Sequence, residues 1–226
     1  MSLAARLAFR CLLGLMVVGG MMFVPAGTIH FWQGWAFLGA AYVPVIFAFL
    51  YFYRHDPKLV ERRLQRKEKV AAQRWLVRFL QPAFFAAMLL PGLDHRWGWS
   101  RKFLGAEPVW LEVASLAVVL AAILTVAWVF QTNSFASRTI QVEVGQPVIS
   151  TGPYAVVRHP MYSASIVMFL ATPIALGSYV SLPAFALLVP IYVFRLLNEE
   201  KVLQAELPGY AEYCSRTRFR LIPLVW

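Results

Sequence analysis

Residues 151–162 read TGPYAVVRHPMY, and we expect the rest of the chain to be organised around this stretch. Gly152 and Pro153 interrupt regular structure, because glycine tolerates unusual backbone angles while proline fixes φ and lacks an N–H donor. Pro160 suits the first turn of a new helix, where its missing N–H is harmless. From Met161 to Phe194 the sequence carries no formal charge. The stretch therefore predicts the point at which a polar loop enters a membrane.

Four polar side chains fall at this entry point: Tyr154, Arg158, His159 and Tyr162. Ionisable groups at membrane depth are costly and tend to be functional. Arginine and tyrosine also anchor helices at the headgroup region, where their polar ends reach water. Composition alone leaves both the functional and the anchoring interpretation open.

The composition is that of a membrane protein. Of the 226 residues, 60% are hydrophobic and 14% are charged, whereas a soluble domain has about one quarter charged residues. The net charge of +10 comes from basic residues in short segments beside apolar ones, a pattern typical of topology signals and lipid contacts and not of nucleic-acid binding. We expect an all-α, polytopic helical bundle in one domain, residues 1–226. Residues 1–145 hold the first helices and a basic loop, and residues 146–226 hold the motif, a helical hairpin and a tail.

The two cysteines and the basic start of the chain add little to this picture. Cys11 and Cys214 are too isolated to predict a disulfide or a metal site. Arg6 and Arg10 precede an apolar run, which also fits a signal peptide cleaved near residues 25–27. A retained first membrane span is the preferred interpretation, because a second apolar run follows at once.

Six membrane segments are predicted from the apolar runs, since about 20 apolar residues cross a hydrocarbon core of about 30 Å. They are Cys11–Ile29, His30–Tyr53, Phe79–Leu93, Val113–Phe130 and the two halves of Met161–Phe194, divided near Pro173, Gly177 and Ser178. Phe79–Leu93 is short, so a re-entrant segment is an alternative. Asp94–Lys102 is expected to be an external aromatic-rich loop, and Ser134–Thr151 an irregular or partly extended cytoplasmic stretch.

The basic residues predict the orientation of the bundle. The block Arg54–Arg78 is interpreted as a solvated helix on the cytoplasmic membrane surface, by the positive-inside rule. Both termini are then cytoplasmic, and only three of the 21 Lys and Arg residues fall outside. The last membrane helix continues through Glu199 and Glu200 and ends near Pro208. The motif and this acidic pair therefore lie on the same side, and the hairpin should bring them together.

Such a constellation would recognise a small molecule that carries both charges. Glu199 or Glu200 could accept hydrogen bonds from an ammonium or from ribose hydroxyls, and Arg158 could clamp a carboxylate. The tyrosine rings could lie against a sulfonium or a purine. The competing interpretation of Glu199 is a surface pair with Arg195 one helical turn earlier.

The order and spacing of these motifs resemble those of the isoprenylcysteine carboxyl methyltransferase family, within a wider group that includes phospholipid N-methyltransferases. The resemblance is strongest over residues 146–226. It is carried by Gly152-Pro153-Tyr154, Arg158-His159-Pro160-x-Tyr162, Glu199-Glu200, Gly209-Tyr210 and Tyr213. One position departs from the family pattern, because Ala164 stands where the family usually has glycine.

The resemblance implies a helical membrane enzyme that binds S-adenosylmethionine in a cytosolic pocket, releases S-adenosylhomocysteine and methylates a lipophilic or prenylated acceptor, in a bacterial inner membrane. Arg158 and Glu200 are the implied catalytic residues. The implied cofactor contacts are Gln146, Gly152, Pro153, Tyr154, His159, Pro160, Tyr162, Glu199 and Glu200. No glycine-rich nucleotide loop is present, which excludes a Rossmann-type methyltransferase.

Several functions remain open from the residues. Carboxyl O-methylation of an isoprenylcysteine-like acceptor is preferred, and a phospholipid or amine N-methyltransferase is the main alternative, with Glu200 or His159 as proton acceptor. An NADPH-dependent membrane reductase of the sterol reductase kind could use the same C-terminal architecture. A small transporter or scaffold with an ion-pair gate is disfavoured, because no inverted internal repeat is visible.

Overall fold

The computed structural model describes residues 2–64, 71–105, 108–136, 142–143 and 145–226, and for residues 71–77 it describes the backbone alone. Within these ranges the regular structure is helical throughout, with no strand. The α-helices are α1 Leu3–Ala26, α2 Trp32–His55, α3 Pro57–Leu64, α4 Ala71–Trp97, α5 Trp99–Leu104, α6 Val109–Thr132, α7 Pro160–Ala175, α8 Leu182–Ala186, α9 Leu188–Glu206 and α10 Tyr210–Arg216. Short 3-10 turns occupy Gly152–Ala155 and Tyr179–Ser181.

The predicted polytopic helical membrane bundle is confirmed. By length and composition, four described helical segments are able to cross a membrane: Leu3–Ala26, Trp32–His55, Val109–Thr132 and Tyr179–Glu206. The last of these combines the second 3-10 turn with α8 and α9. Helix α7 is apolar but has only 16 residues. Helices α7 and α9 form the predicted C-terminal hairpin.

The first helix begins earlier than the predicted span: α1 starts at Leu3, whereas the charge-free run starts at Cys11. Helix α1 begins after Ser2, whose hydroxyl accepts a hydrogen bond from the Ala5 N–H. It ends before Gly27, which adopts φ +66° and returns its N–H to the carbonyls of Phe23 and Val24. Glycine takes this left-handed conformation at little cost and is therefore a common helix terminator. The cap at each end, and not the first or last charge, sets the helix length.

The prediction that Asp94–Lys102 forms a loop is wrong, because every residue of it except Gly98 is helical. Helix α4 has 27 residues, and α5 follows it after a single break at Gly98, where φ is +66°. The cause is Asp94, which is 2% exposed and accepts hydrogen bonds from the Ser100 N–H and from the hydroxyls of Ser100 and Ser178. This carboxylate caps α5 and fixes the turn between α7 and α9 against the end of α4.

The core forms where α1, α2, α4, α6 and the hairpin meet. Its fully buried members include Met22, Phe31, Val119, Phe185 and Leu188. Helix α7 packs along α6, and α1 packs along α4. A Cβ atom on Gly92 of α4 would lie 2.3 Å from the Met22 carbonyl oxygen of α1, so these two helices touch through their backbones. Ala164, at the family's glycine position, is 6% exposed.

The basic block Arg54–Arg78, predicted as a surface helix, is divided among the end of α2, the short helix α3 and the start of α4. In α3, the Leu59 and Val60 side chains are buried against Leu7 and Phe52. Arg62 pairs with Glu143, and Arg63 lines a cavity described below. Residues 65–70, which belong to the same prediction, lie outside the described part of the chain. Helix α3 therefore covers one end of the bundle, and the placement of this end at a cytoplasmic membrane surface stays a prediction.

Candidate functional site

The motif loop is shaped by its glycine and its two prolines. Gly152 has φ +58°, and a Cβ atom there would lie 3.0 Å from Thr132 Oγ1 at the end of α6. Pro153 follows in the buried part of the 3-10 turn, and Pro160 begins α7 as predicted. Because α7 starts here, Arg158 and His159 lie at the mouth of the helix pair formed by α7 and α9.

The hairpin brings the motif and the acidic pair into direct contact. The Tyr162 hydroxyl on α7 donates a hydrogen bond to the Glu199 carboxylate on α9, which is 37 positions later in the sequence. Glu200 is the next residue on α9 and points to the other side, towards Arg158 and His159. The spatial convergence that the sequence predicted is therefore present in the fold.

Glu200 lies in a buried cluster of opposite charge. Its Oε1 atom is 3.0 Å from Arg158 Nε and 3.6 Å from His159 Nε2. Its Oε2 atom accepts a hydrogen bond of 2.7 Å from Arg220 Nε. The Glu200 residue is 4% exposed. A carboxylate is costly to bury alone, and these nitrogen groups compensate for the water that it loses.

A cavity of about 760 Å³ opens beside this cluster, within the size range of small-molecule sites. One half has polar walls from the motif, α9 and α10. The other half lies among the membrane helices. Its apolar wall is formed by Val18, Phe37, Ala41, Val45, Leu80, Phe84, Met88, Ile123, Val126 and Phe169. The two halves form one continuous space.

Most of the predicted site residues line this cavity, but three do not. The lining includes Gln146, Tyr154, Arg158, His159, Pro160, Tyr162 and Glu199. Gly152 and Pro153 are not in the lining, and they shape the loop that carries Tyr154 and Arg158. Glu200 is not in the lining either. It contacts Arg158 and His159, which are. The structure thus brings the predicted residues together while dividing them into a lining group and a supporting group.

Some cavity residues were not among the predicted site residues. They are Arg63, Gln81, Asn133, Arg195, Tyr210 and Tyr213, among others. Tyr210 and Tyr213 belong to the motifs that carry the family resemblance. Asn133 is a polar residue at the end of an apolar helix, and such a position could have been recognised in the sequence as a candidate site. Arg63 and Gln81 come from helices far from the motif in sequence, so only the tertiary fold reveals their position.

Helix α3 fixes one wall of the cavity through two adjacent arginines. Arg62 lies 2.9 Å from Glu143 Oε1 and donates to the Ser134 carbonyl at 2.8 Å, which holds the described ends of the connection between α6 and the motif. Arg63 contributes to the cavity lining, and its guanidinium lies 4.5 Å from the centroid of the Phe130 ring.

Tyr154 is held in the polar half by two neighbours. Its hydroxyl accepts a hydrogen bond of 3.0 Å from Asn133 Nδ2, and its carbonyl accepts one of 2.8 Å from the Tyr213 hydroxyl. Burial raises the pKa of Tyr154 to about 12. The phenol is therefore neutral at physiological pH and presents both a hydroxyl and an aromatic face to the cavity.

Tyr210 has a buried hydroxyl with no hydrogen-bond partner among the described residues. His159 Nε2 is also buried without a hydrogen bond in the described part of the chain, but it lies 3.6 Å from Glu200 Oε1 and so faces that carboxylate. Burial also raises the pKa of Tyr210, so its hydroxyl is protonated. Buried polar groups in proteins normally have a partner. Tyr210 lines the cavity, so a polar ligand there would satisfy its hydroxyl.

Comparison with known proteins finds a similarity to a protein family in the second half of the chain. Residues 110–207 match the family model for phospholipid methyltransferase. This region contains α6, the motif and the hairpin. For the region that it covers, the match confirms the resemblance to the membrane methyltransferase group that the motifs predicted.

A curated relative carries a different activity in its name. The Delta(14)-sterol reductase TM7SF2 of Mus musculus is 33% identical over 95 residues, which is 39% of this chain and 22% of the reductase. The chain thus spans about a fifth of the length of this relative. The similarity concerns a shared segment, and it does not by itself assign an activity.

Proposed function

We propose that this chain is an S-adenosylmethionine-dependent methyltransferase that acts on a lipophilic acceptor. The observation that carries the proposal is the continuous cavity, which joins the polar motif to an apolar space among membrane helices. A water-soluble cofactor and a membrane-soluble acceptor could meet in such a space without either leaving its own phase. The match of residues 110–207 to the phospholipid methyltransferase family supports the same reaction class.

The polar half fits the cofactor by its donor set. Glu199 could accept hydrogen bonds from the cofactor's ammonium or ribose hydroxyls, and Arg158 could receive the carboxylate of an acceptor. The rings of Tyr154 and Tyr210 offer aromatic faces to a sulfonium or a purine. The buried Tyr210 hydroxyl, which has no hydrogen-bond partner among the described residues, would gain one. When bound, S-adenosylmethionine supplies a methyl group activated by its positive sulfur.

The roles within the acidic pair follow from their positions. Glu199 lines the cavity, whereas Glu200 lies behind it with both oxygens near cationic or imidazole nitrogens. We therefore assign cofactor contact to Glu199 and a supporting role to Glu200. Arg158 lines the cavity and is the group that we assign to the reacting end of the site. For an amine acceptor, His159 is the lining residue able to receive a proton.

The apolar half fits an acceptor with a hydrocarbon tail. Phe37, Ala41 and Val45 line it at intervals of one helical turn, which corresponds to about 12 Å along α2 at 1.5 Å per residue. The preferred acceptor is an isoprenylcysteine-like carboxylate, which is ionised and needs no general base. The alternative is a phospholipid amine, which the name of the matched family favours. We place the polar half towards the cytosol, in a bacterial inner membrane.

The test uses the full chain in lipid nanodiscs. Calorimetry should show saturable binding of S-adenosylhomocysteine. Labelled methyl from S-adenosylmethionine should then appear in an added farnesylcysteine derivative as a base-labile ester. A base-stable product from phosphatidylethanolamine would identify the amine alternative. Absence of S-adenosylhomocysteine binding would refute the methyltransferase proposal.

A reductase is the second candidate, because the curated relative is named as a sterol reductase. Titration of the same nanodiscs with NADPH, followed by cofactor fluorescence, separates the two. Under the methyltransferase proposal, NADPH should neither bind saturably nor displace S-adenosylhomocysteine. Saturable NADPH binding together with no S-adenosylhomocysteine binding would favour the reductase.

A further inference from the structure

We propose that Phe219, Arg220 and Leu221 of the segment Thr217–Trp226, called the tail below, hold the motif in place and that Arg220 is a positioning residue for Arg158 and His159. This inference rests on the proposed function for its catalytic meaning, because it states how the cofactor-facing side chains are held. Neither Arg220 nor Glu200 lines the cavity. Both act through residues that do.

The tail holds the backbone of the motif through consecutive carbonyl groups. The Arg158 N–H donates to the Phe219 carbonyl at 2.8 Å, and the His159 N–H donates to the Arg220 carbonyl at 3.0 Å. These two donors precede the first residue of α7. The tail therefore supplies the acceptors that the start of this helix cannot supply for itself.

A side-chain contact continues the same attachment into the first turn of α7. The Ser163 hydroxyl donates to the Leu221 carbonyl at 2.7 Å. Three successive tail residues thus accept from three residues of the motif and α7. The position of the motif backbone depends on a segment about 60 residues later in the sequence.

The Arg220 side chain holds the motif from a second direction. Its Nε donates to Glu200 Oε2 at 2.7 Å, and the other oxygen of Glu200 lies 3.0 Å from Arg158 Nε. The Arg220 guanidinium also lies 5.4 Å from the centroid of the Trp226 ring. Arg220, Glu200 and Arg158 therefore form a chain of charge that starts in the tail and ends at the cavity wall.

These contacts let Arg220 influence the position of Arg158 through Glu200, in addition to any packing that its side chain provides. Without its guanidinium, Glu200 Oε2 would be a buried carboxylate oxygen with its hydrogen bond removed, which is an expensive state. Glu200 would then turn towards water or towards Arg158 and displace the guanidinium at the cavity wall. The cofactor-facing geometry should change even where the helices stay intact.

The experiment compares Arg220→Met, Arg220→Lys and the matched control Arg218→Met, all in the full chain in nanodiscs. Arg218 is an exposed arginine of the same tail. Hydrogen–deuterium exchange of the peptide that contains the Arg158 and His159 amides reports the tail contact without any cofactor. Calorimetry with S-adenosylhomocysteine reports its consequence for the site.

In Arg220→Met, amide exchange of this peptide should accelerate and affinity for S-adenosylhomocysteine should fall by about tenfold, as for a lost hydrogen bond to a charged group. Arg220→Lys should bind S-adenosylhomocysteine more tightly than Arg220→Met but less tightly than the unmodified chain. Arg218→Met should show the same exchange and the same affinity as the unmodified chain. Unchanged exchange in Arg220→Met would refute the idea that the Arg220 side chain keeps the tail against the motif. Faster exchange with unchanged affinity would reduce Arg220 to a structural contact and refute its positioning role. If the unmodified chain fails to bind S-adenosylhomocysteine, the proposed function is refuted, while the exchange data still decide the attachment.

Discussion

Glu200 is 4% exposed and shares its two oxygens among Arg158, His159 and Arg220. The substitution Glu200→Gln keeps the size of the side chain but removes the charge that orients two cavity residues. We expect affinity for S-adenosylhomocysteine to fall by about tenfold, the scale of a hydrogen bond to a charged group. Calorimetry provides the measurement. The control Glu206→Gln changes an exposed glutamate at the end of the same helix and should bind normally; equal affinities in the two variants would contradict the supporting role.

Arg158 tests the reacting end of the site. Lysine retains the charge in Arg158→Lys but cannot reproduce the planar fork of the guanidinium. We expect the turnover number to fall by about tenfold or more, with a smaller change in cofactor affinity. Initial rates of labelled methyl transfer measure the effect, and Arg218→Lys serves as the control. An unchanged turnover number would contradict a role in the reaction and favour the interpretation that Arg158 anchors the chain at the membrane surface.

At this scale, the sequence predicted the lining side chains better than their division of labour. Tyr154 and His159 reach the cavity because the motif loop places them there, and Glu199 does so because the hairpin returns α9 to the motif. The burial of Glu200 depends on Arg220, which belongs to a segment whose path over the motif has no local signal. Sequence spacing therefore identified the cluster, and only the fold shows which carboxylate faces the cavity.

Helix α2 provides a test of the apolar half of the cavity. Ala41 lines it, so the added ring in Ala41→Phe should fill space that the acceptor tail would occupy. We expect the KM for the lipophilic acceptor to rise severalfold while S-adenosylhomocysteine affinity stays unchanged, since the polar half is untouched. On the same helix, a Cβ atom at Gly39 meets open space, and Gly39→Phe should therefore be silent. A loss of cofactor affinity in Ala41→Phe, without an effect on the acceptor, would contradict this division.

Asp94 provides a test of how α4, α5 and the hairpin turn are joined. Asp94→Ala removes the acceptor for the Ser100 N–H and for the Ser100 and Ser178 hydroxyls. Leaving buried donors unsatisfied should cost about 2–4 kcal/mol of stability. Thermal unfolding in detergent measures the loss. The exposed Glu212–Arg216 pair is the comparison, and Glu212→Ala should cost less than about 1 kcal/mol; a similar loss in both variants would show that Asp94 is not a structural cap.

The same aspartate explains why one element was predicted wrongly. A charged, aromatic-rich stretch beginning at Asp94 has the composition of a loop. Its helical structure depends on Ser100 and on Ser178, which is 84 positions away. By contrast, the start of α7 was predicted correctly, because Pro160 carries its preference for a first helical turn locally.

The orientation of the whole bundle is a prediction from its basic residues. Lys102 and Glu206 are exposed and lie near opposite ends of membrane-crossing segments. In a background with Cys11→Ser and Cys214→Ser, we expect an impermeant maleimide to label Lys102→Cys on intact cells and Glu206→Cys only after lysis. The reverse labelling pattern would place the cavity's polar half outside the cell and contradict the cytosolic site.

The contact of Gly92 with Met22 has a consequence for which lipids the protein could handle. Val18 and Met88 line the apolar half, and Met22 and Gly92 lie one turn further along the same two helices. The close backbone approach therefore forms the floor of a well. In a methyltransferase with a tailed acceptor, this contact would limit the length of hydrocarbon tail that the cavity accepts. The carbons of a longer tail would have to fold back or stay in the bilayer.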